Sequence, residues 1–350
     1  MPTVAVVGAT GYAGAELVSI LQRHPEIDAS ILTGSSRTET AAADLADLHP
    51  RLRGAEALPL SPLDPEAIVA AGVDAVLLAT PHEASLELAP WFVDRGVPVI
   101  DLSAAFRLSD PAAYPAHYGF THDQPALLAN AVYGIAELAG DAIAAANLVA
   151  VPGCYPTSVI LPVRPLVDAG LVNTSDVVIV DSTSGVSGAG RAAKPHTSFC
   201  EVSLQAYGAL EHRHQPEMAE HAGVPVMFTP HLGAFDRGIL SAIHLRLADG
   251  ATEADARAVL ERTYADQPCV HVLPAGSWPS VGAVRFSNRC DIGLRGAPSH
   301  GRLLISSAID NLVKGAAGQA VQCLNLRCGL PRDLGVIPSS TATSTGTARC

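Results

Sequence analysis

Seven cysteines are spread along the 350-residue chain, and one of them stands apart. Cys154 lies in Val151-Pro152-Gly153-Cys154-Tyr155-Pro156-Thr157-Ser158, after an apolar run and before a stretch with helical spacing. A thiol at a helix start meets unpaired backbone N–H groups and the positive end of the helix dipole, both of which favour the thiolate. Pro156 suits the first helical turn, and Gly153 leaves room for a substrate. The other six cysteines lack such a setting. The number is odd and no pair forms Cys-x-x-Cys, which argues against a disulfide framework or a zinc ribbon.

A nucleophile of this kind needs a proton acceptor. His212 and His214, in Glu211-His212-Arg213-His214-Gln215-Pro216-Glu217, form the densest group among the 13 histidines. The sequence does not choose between them, with His212 the first choice, and it offers no third ligand that would make the pair a metal site. Anions need cations: Arg107, Arg191 and Lys194, the last followed closely by His196, are candidates for a substrate carboxylate or a phosphate. Of the 22 basic residues only two are lysines, Lys194 and Lys314. In a chain that otherwise uses arginine, they mark positions where a compact ammonium serves and a planar guanidinium does not.

These groups must be held by a scaffold. Val4 to Val7 reads as a buried strand, and it runs into Gly8-Ala9-Thr10-Gly11-Tyr12-Ala13-Gly14 and then into a helix-spaced stretch. Strand, glycine turn and helix together make a dinucleotide site, because the turn brings helix N–H groups up to a pyrophosphate. Further strands are expected at 29–33, 75–79, 97–102 and 147–151, with a helix over 83–93. That alternation implies a parallel, Rossmann-type sheet. The second strand ends in Thr33-Gly34-Ser35-Ser36-Arg37, without the acid of NAD-specific sites; two hydroxyls and an arginine suit a 2′-phosphate, hence NADP(H). Thr80, Pro81 and His82, after the third strand, and Ser187 and Gly188, in the Gly/Ser-rich stretch 182–190, are further candidate cofactor contacts.

Beyond Gly153 the pattern changes. A helix over 158–169, strands at 177–181, 239–247 and 283–286, and a small-residue helix over 310–322 suggest an α+β domain with a mixed, largely antiparallel sheet. The expected division is 1–152 for the dinucleotide domain, completed by a helix at about 310–330, and 153–309 for the catalytic, substrate and oligomerisation domain. A disordered tail is expected over 335–350.

Composition bounds the partners. With 48% hydrophobic and 16% charged residues, the chain can bury large cores. A net charge of −12 without basic clusters argues against nucleic acid and anionic membranes. No apolar run reaches transmembrane length, and the start lacks a signal peptide's basic region, so a cytoplasmic location is expected.

A thiolate beside a nicotinamide suggests attack on an activated acyl carbonyl, a thioester, and reduction to an aldehyde. The ordered set Gly8–Gly14, Asp101-Leu102-Ser103, Pro152-Gly153-Cys154-Tyr155-Pro156-Thr157, Ser184–Arg191, His212-Arg213-His214-x-Pro-Glu217 and Asn311–Ala320 resembles the N-acetyl-γ-glutamyl-phosphate reductases of the aspartate-semialdehyde-dehydrogenase superfamily. The resemblance implies an NADPH-dependent reduction of an acyl phosphate in arginine biosynthesis. It implies Cys154 as nucleophile, with acid/base work from the His212/His214 cluster, Glu217 in the catalytic set and Ser103 among the substrate contacts. It also implies a cofactor role for Asn311 and Lys314 and a homodimer or homotetramer. The family usually carries Asp where Ala105 stands, which bears on how Arg107 is oriented. Competing expectations are the same chemistry on aspartyl phosphate or a carrier-linked aminoadipyl phosphate, and a non-catalytic NADP sensor.

Overall fold

The computed structural model describes residues 1–35, 44–54 and 56–337. Ser36 and Arg37 of the cofactor expectation, and the tail beyond 337, lie outside the described residues. The first sheet holds β1 (Thr3–Val7), β2 (Asp28–Thr33), β3 (Leu60–Ser61), β4 (Ala75–Leu78), β5 (Val99–Asp101), β6 (Val132–Tyr133) and β7 (Leu148–Ala150). All its pairings are parallel, in the order β3-β2-β1-β4-β5-β7-β6. Strand periodicity explains its two cores: Val4 and Val6 face one cluster, Ala5 and Val7 the other. Helix Gly318–Arg327 returns from the far end of the chain and joins the Val4/Val6 cluster through Ala320, Val321 and Leu324.

The second sheet holds β8 (Val178–Ser184), β9 (Gln205–Ala206), β10 (Val226–Leu232), β11 (Ile239–Arg246), β12 (Val270–Val272), β13 (Cys290–Ala297) and β14 (Arg302–Ile309). Its order is β12-β13-β14-β11-β8-β10-β9. The β8–β10 and β12–β13 pairs are parallel and the others antiparallel. Helices Cys154–Asp168 and Glu253–Thr263 supply the core over one face of this sheet.

Helix Cys154–Asp168 starts at the cysteine itself, four residues before the expected start. Within it, Pro162 and Pro165 lack the N–H groups that would bond the carbonyls of Ser158 and Leu161. Side chains replace them, Ser307 donating its hydroxyl to the Ser158 carbonyl and Tyr264 to that of Leu161. The strand expected at 283–286 is instead a short helix, Val281–Val284, capped by Ser280; four apolar residues carry too little period to tell the two apart. The small-residue helix begins with a π-helical turn, Val313–Ala317, and runs on to Arg327. The expected tail is packed at its start: Gly335 lies against the His24 ring, and His24 Nε2 bonds the Leu334 carbonyl at 3.0 Å. Among the described residues, no helix is long and apolar enough to cross a membrane.

Candidate active site

The glycine turn is built by close approach. Gly8 has φ +87°, and a Cβ there would lie 2.4 Å from the Ala79 carbonyl oxygen. A Cβ on Gly14 would lie 2.2 Å from the Gly8 carbonyl oxygen, so the helix Tyr12–Leu21 can begin this close to β1 only with glycine there. The turn opens into a cavity of about 850 Å³ lined by Gly8, Thr10, Gly11, Tyr12, Ala13 and Ser35 on one side and by Ser187, Gly188, Arg191 and Asn311 on the other. Thr80, Pro81, Arg107, Cys154, Arg213 and His214 complete it. A cavity of this volume opening on a glycine turn at a helix N-terminus fits a dinucleotide.

Three expected contacts lie elsewhere. His82 stacks on Phe120, with ring centroids 5.2 Å apart, outside the cavity lining. The Ser103 hydroxyl is spent on Asp101 at 2.8 Å and on the Ala105 N–H at 3.1 Å, so it braces the loop after β5 rather than meeting a substrate. Lys314 is fully buried, its ammonium 2.6 Å from Glu137 Oε1 and 2.7 Å from Gln322 Oε1. Neighbouring Glu137, Cys269 and Asp333 bring their donor atoms within 4.8 Å of one another. The bonded ammonium in this cluster supplies the compensating charge, which is the work of an internal strut and not of a cofactor contact.

A second cavity, about 690 Å³, meets the first at Cys154, Gly188, Arg213 and His214. His117, Tyr155, Lys194, His196, Gln205, Tyr207 and His212 are among its lining residues. Cys154 therefore stands where the larger cavity joins a smaller one. The turn that carries it is crowded: a Cβ on Gly153 would lie 2.7 Å from His214 Nε2 and 3.0 Å from Arg107 Nη1. From the opposite side, a Cβ on Gly315, in the π turn, would lie 2.8 Å from the Cys154 Cβ.

Glu217, fully buried, holds this turn. Its Oε1 accepts the Gly153 N–H at 2.7 Å and the Tyr133 hydroxyl at 2.8 Å, and its Oε2 faces Arg107 Nη1 at 3.5 Å. Arg107 donates through Nε to the Val151 carbonyl at 2.8 Å and through Nη2 to that of Leu102 at 2.7 Å. Its orientation thus comes from main-chain carbonyls and Glu217, and Ala105 costs it no anchor.

The electrostatics differ from the expected resting thiolate. Burial pushes the Cys154 thiol up to about 11, against the opposing pull of the Tyr155 N–H and Arg107. Here desolvation outweighs the helix start. Burial, with Arg213 beside it, depresses His212 to about 4. His214 is held well below the ordinary imidazole range by burial and then by His212, Arg107 and Arg213. Both rings are therefore neutral near pH 7, and they differ in what they offer. His212 Nδ1 accepts the His214 backbone N–H at 3.2 Å, which places the ring proton on Nε2. His214 presents Nε2 to the Cys154 turn.

Sequence reasoning passed over Arg213, although it stands between the two candidate histidines; it lines both cavities. His117, Gln205 and Tyr207 carried no motif, and chain topology alone brings them to the site. Arg191 lines the larger cavity, and Lys194 and His196 line the smaller one.

Comparison with known proteins agrees with this architecture. Residues 3–146 match the model for a semialdehyde dehydrogenase NAD binding domain, and 154–311 the model for a semialdehyde dehydrogenase dimerisation domain. An N-acetyl-gamma-glutamyl-phosphate reductase of Salmonella typhi is 50% identical over 324 residues, covering 93% of this chain and 96% of the relative. One from Tolumonas auensis is 47% identical over 339 residues, covering 96% of this chain and 100% of the relative.

The chain belongs to the N-acetyl-gamma-glutamyl-phosphate reductase family.

The fold is shared more widely. Aspartate semialdehyde dehydrogenase II from Vibrio cholerae superposes with a TM-score of 0.70 at 20% identity, covering 93% of this chain and 98% of that one. An aspartate semialdehyde dehydrogenase with NADP from Candida albicans gives 0.67 at 16%, covering 93% and 98%. In this member of the reductase family, Cys154, Arg213 and His214 stand at the junction of the two cavities, and His212 lines the smaller one.

Proposed function

We propose that this chain reduces N-acetyl-γ-glutamyl phosphate to N-acetylglutamate semialdehyde and phosphate with NADPH, through a thioester on Cys154. The observation that carries the reading is the position of Cys154 at the meeting of the two cavities, with His214 Nε2 against its turn. NADPH is favoured over NADH because β2 runs into Thr33-Gly34-Ser35 without an acid, and Ser35 lines the cavity.

His214 Nε2 takes the thiol proton as the Cys154 sulfur attacks the acyl carbonyl carbon. The buried thiol needs this acceptor, because at pH 7 it holds its own proton. The Tyr155 N–H and the Arg107 guanidinium face the negative charge that develops there. When the carbonyl re-forms, the carbon–phosphate oxygen bond breaks and phosphate, taking up one proton from solvent, leaves among Arg191, Arg213 and Lys194, with the thioester left on Cys154. The bound dinucleotide supplies the hydride that reduces this thioester. The alkoxide of the resulting thiohemiacetal collapses to aldehyde, and His214 returns its proton to the departing sulfur. Glu217 moves no proton in this scheme; it holds Gly153, Tyr133 and Arg107 in place. His212, with its proton on Nε2, donates a hydrogen bond toward the acyl cavity. We also assign the chain to a homo-oligomer that assembles through the second domain.

The test runs the reaction backwards, following NADPH formed from aldehyde, NADP⁺ and phosphate. Phosphate-dependent turnover with N-acetylglutamate semialdehyde, weak with aspartate semialdehyde and lost in Cys154→Ser, is expected. Preference for aspartate semialdehyde would move the substrate, and turnover preserved in Cys154→Ser would remove the thioester.

A further inference from the structure

The larger cavity takes one wall from each domain. The first is the glycine turn at the start of helix Tyr12–Leu21, and the second is formed by Ser187, Gly188 and Asn311. Hydrogen bonds knit the second wall to the loop behind it. Asn311 accepts the Gly238 N–H through Oδ1 at 2.6 Å and donates through Nδ2 to the Ser187 hydroxyl at 3.0 Å. The Ser187 N–H bonds the Asp236 carbonyl at 2.9 Å, and a Cβ on Gly185 would lie 2.6 Å from the Arg237 backbone nitrogen. The loop 235–238 is therefore the backing of that wall.

Arg237 joins this backing to the first wall. It is buried, and it lies outside the lining of the larger cavity. Its Nη2 donates at 3.0 Å to Oε2 of Glu16, on the helix that starts at the glycine turn. The same nitrogen reaches Asp310 Oδ1 at 3.1 Å, and Nε faces Asp310 Oδ2 at 2.8 Å. Asp310 immediately precedes Asn311 of the second wall. A planar guanidinium spans two carboxylates in this way, whereas a lysine ammonium is a point charge. Phe286 covers the guanidinium, 4.6 Å from its ring centroid. Phe286 has φ +60°, a costly conformation for a residue with a side chain, and its N–H donates to Asp310 Oδ2 at 2.7 Å. Neither acid depends on Arg237 alone. Arg51 also reaches Glu16 at 2.9 Å, and Asp310 Oδ1 accepts the Leu312 and Val313 N–H groups. What the bridge adds is a fixed spacing between the two walls.

We propose that Arg237 is a positioning residue for hydride transfer: the Glu16–Arg237–Asp310 bridge sets the spacing of the cavity walls, and with it the placement of the nicotinamide against Cys154. The proposal rests on the reading of the larger cavity as the dinucleotide site.

Arg237→Met removes the bridge and keeps an unbranched stem under Phe286. The readout is the NADPH burst in stopped flow, with NADP⁺ and saturating N-acetylglutamate semialdehyde but no phosphate, which times the hydride step apart from product release. The burst is expected to slow about tenfold or more, since misplacement by about 1 Å can cost about 100-fold. Arg237→Lys is expected to recover part of the rate. Alkylation of Cys154 by iodoacetamide is expected to stay within about twofold of wild type, which a general loosening of the fold would not allow. Glu16→Gln weakens the bridge from its other end and is expected to slow the burst as well, with the double variant no slower than Arg237→Met. Should Arg237→Met fail to fold, Arg237→Lys and Glu16→Gln carry the test. A burst at the wild-type rate, alkylation that changes in step with the burst, or slowings that multiply in the double variant would overturn the proposal. Wild-type protein that binds no NADPH in a fluorescence titration would instead overturn the reading of the cavity.

Discussion

Replacing Glu217 with Gln tests whether this carboxylate holds the turn and faces the thiol, because labelling of Cys154 and turnover are then expected to move in opposite directions. The Glu217 carboxylate accepts the Gly153 N–H and the Tyr133 hydroxyl at 2.7 and 2.8 Å. Hydrogen bonds to an ionised acceptor contribute about 1.5–3 kcal/mol each and neutral ones about 0.5–1.5. Two such bonds, weakened but retained by the amide, cost roughly 2–3 kcal/mol. Arg107 loses its facing charge as well, but Val151 and Leu102 keep its guanidinium bonded, so the total stays near ~3 kcal/mol. Glu217 also raises the Cys154 thiol while Arg107 lowers it. Removing that one negative charge lowers the Cys154 thiol and speeds its alkylation at pH 7.5. Turnover moves the other way, since a misplaced nucleophile costs up to about 100-fold. Urea denaturation, iodoacetamide labelling of Cys154 and the reverse assay measure the three quantities. Labelling that stays at the wild-type rate in a variant of wild-type stability would refute the argument that this carboxylate faces the thiol and holds its turn.

The neutral histidines give a pH signature. Below a depressed pKa the ring gains a proton and ceases to be an acceptor, and above it the acceptor is present. Because His214 is held well below 6.5, kcat/KM stays level down through pH 6.5 and falls only at lower pH, and an acid limb centred above 6.5 would contradict the assignment. Lys314→Met leaves Glu137 buried without its partner and destabilises the fold by about 3–5 kcal/mol in urea titration, and Glu137→Gln added to it recovers part of the loss. NADPH affinity in the folded Lys314→Met protein changes less than about twofold, whereas a cofactor contact would cost tenfold or more. Gly14→Ala drives a methyl into the Gly8 carbonyl oxygen and weakens NADPH binding at least about tenfold by fluorescence titration, with wild-type affinity as the contrary result.

Much of this was legible in local patterns. Strand, glycine turn and helix over residues 3–21 form a unit whose physics is contained in its own stretch of chain, and so does the proline–glycine–cysteine turn at a helix start. What the sequence obscured depends on partners far along the chain. Pro162 and Pro165 stand inside the helix expected over 158–169, and the groups that repair it, Ser307 and Tyr264, come from distant elements. Lys314 lies in a motif stretch whose main chain borders the cofactor cavity, while its side chain turns to Glu137, 177 residues away. Ser103 is similar, its hydroxyl claimed by a buried Asp101 two residues back. The short strands β3, β6 and β9, of two residues each, have no period to read. The elevated Cys154 thiol reflects burial at a turn that Gly315 closes from the opposite side, which no spacing along the chain announces.

The covalent role of Cys154 is the central claim, and omitting phosphate from the reverse reaction tests it most directly. With N-acetylglutamate semialdehyde and NADP⁺ alone, hydride leaves the thiohemiacetal but no phosphate arrives to release the acyl group. The account predicts a burst of about one NADPH per active site, with the N-acetylglutamyl mass found by mass spectrometry on the peptide that carries Cys154. A missing burst in protein that turns over when phosphate is present, or an acyl group on any other residue, would contradict it.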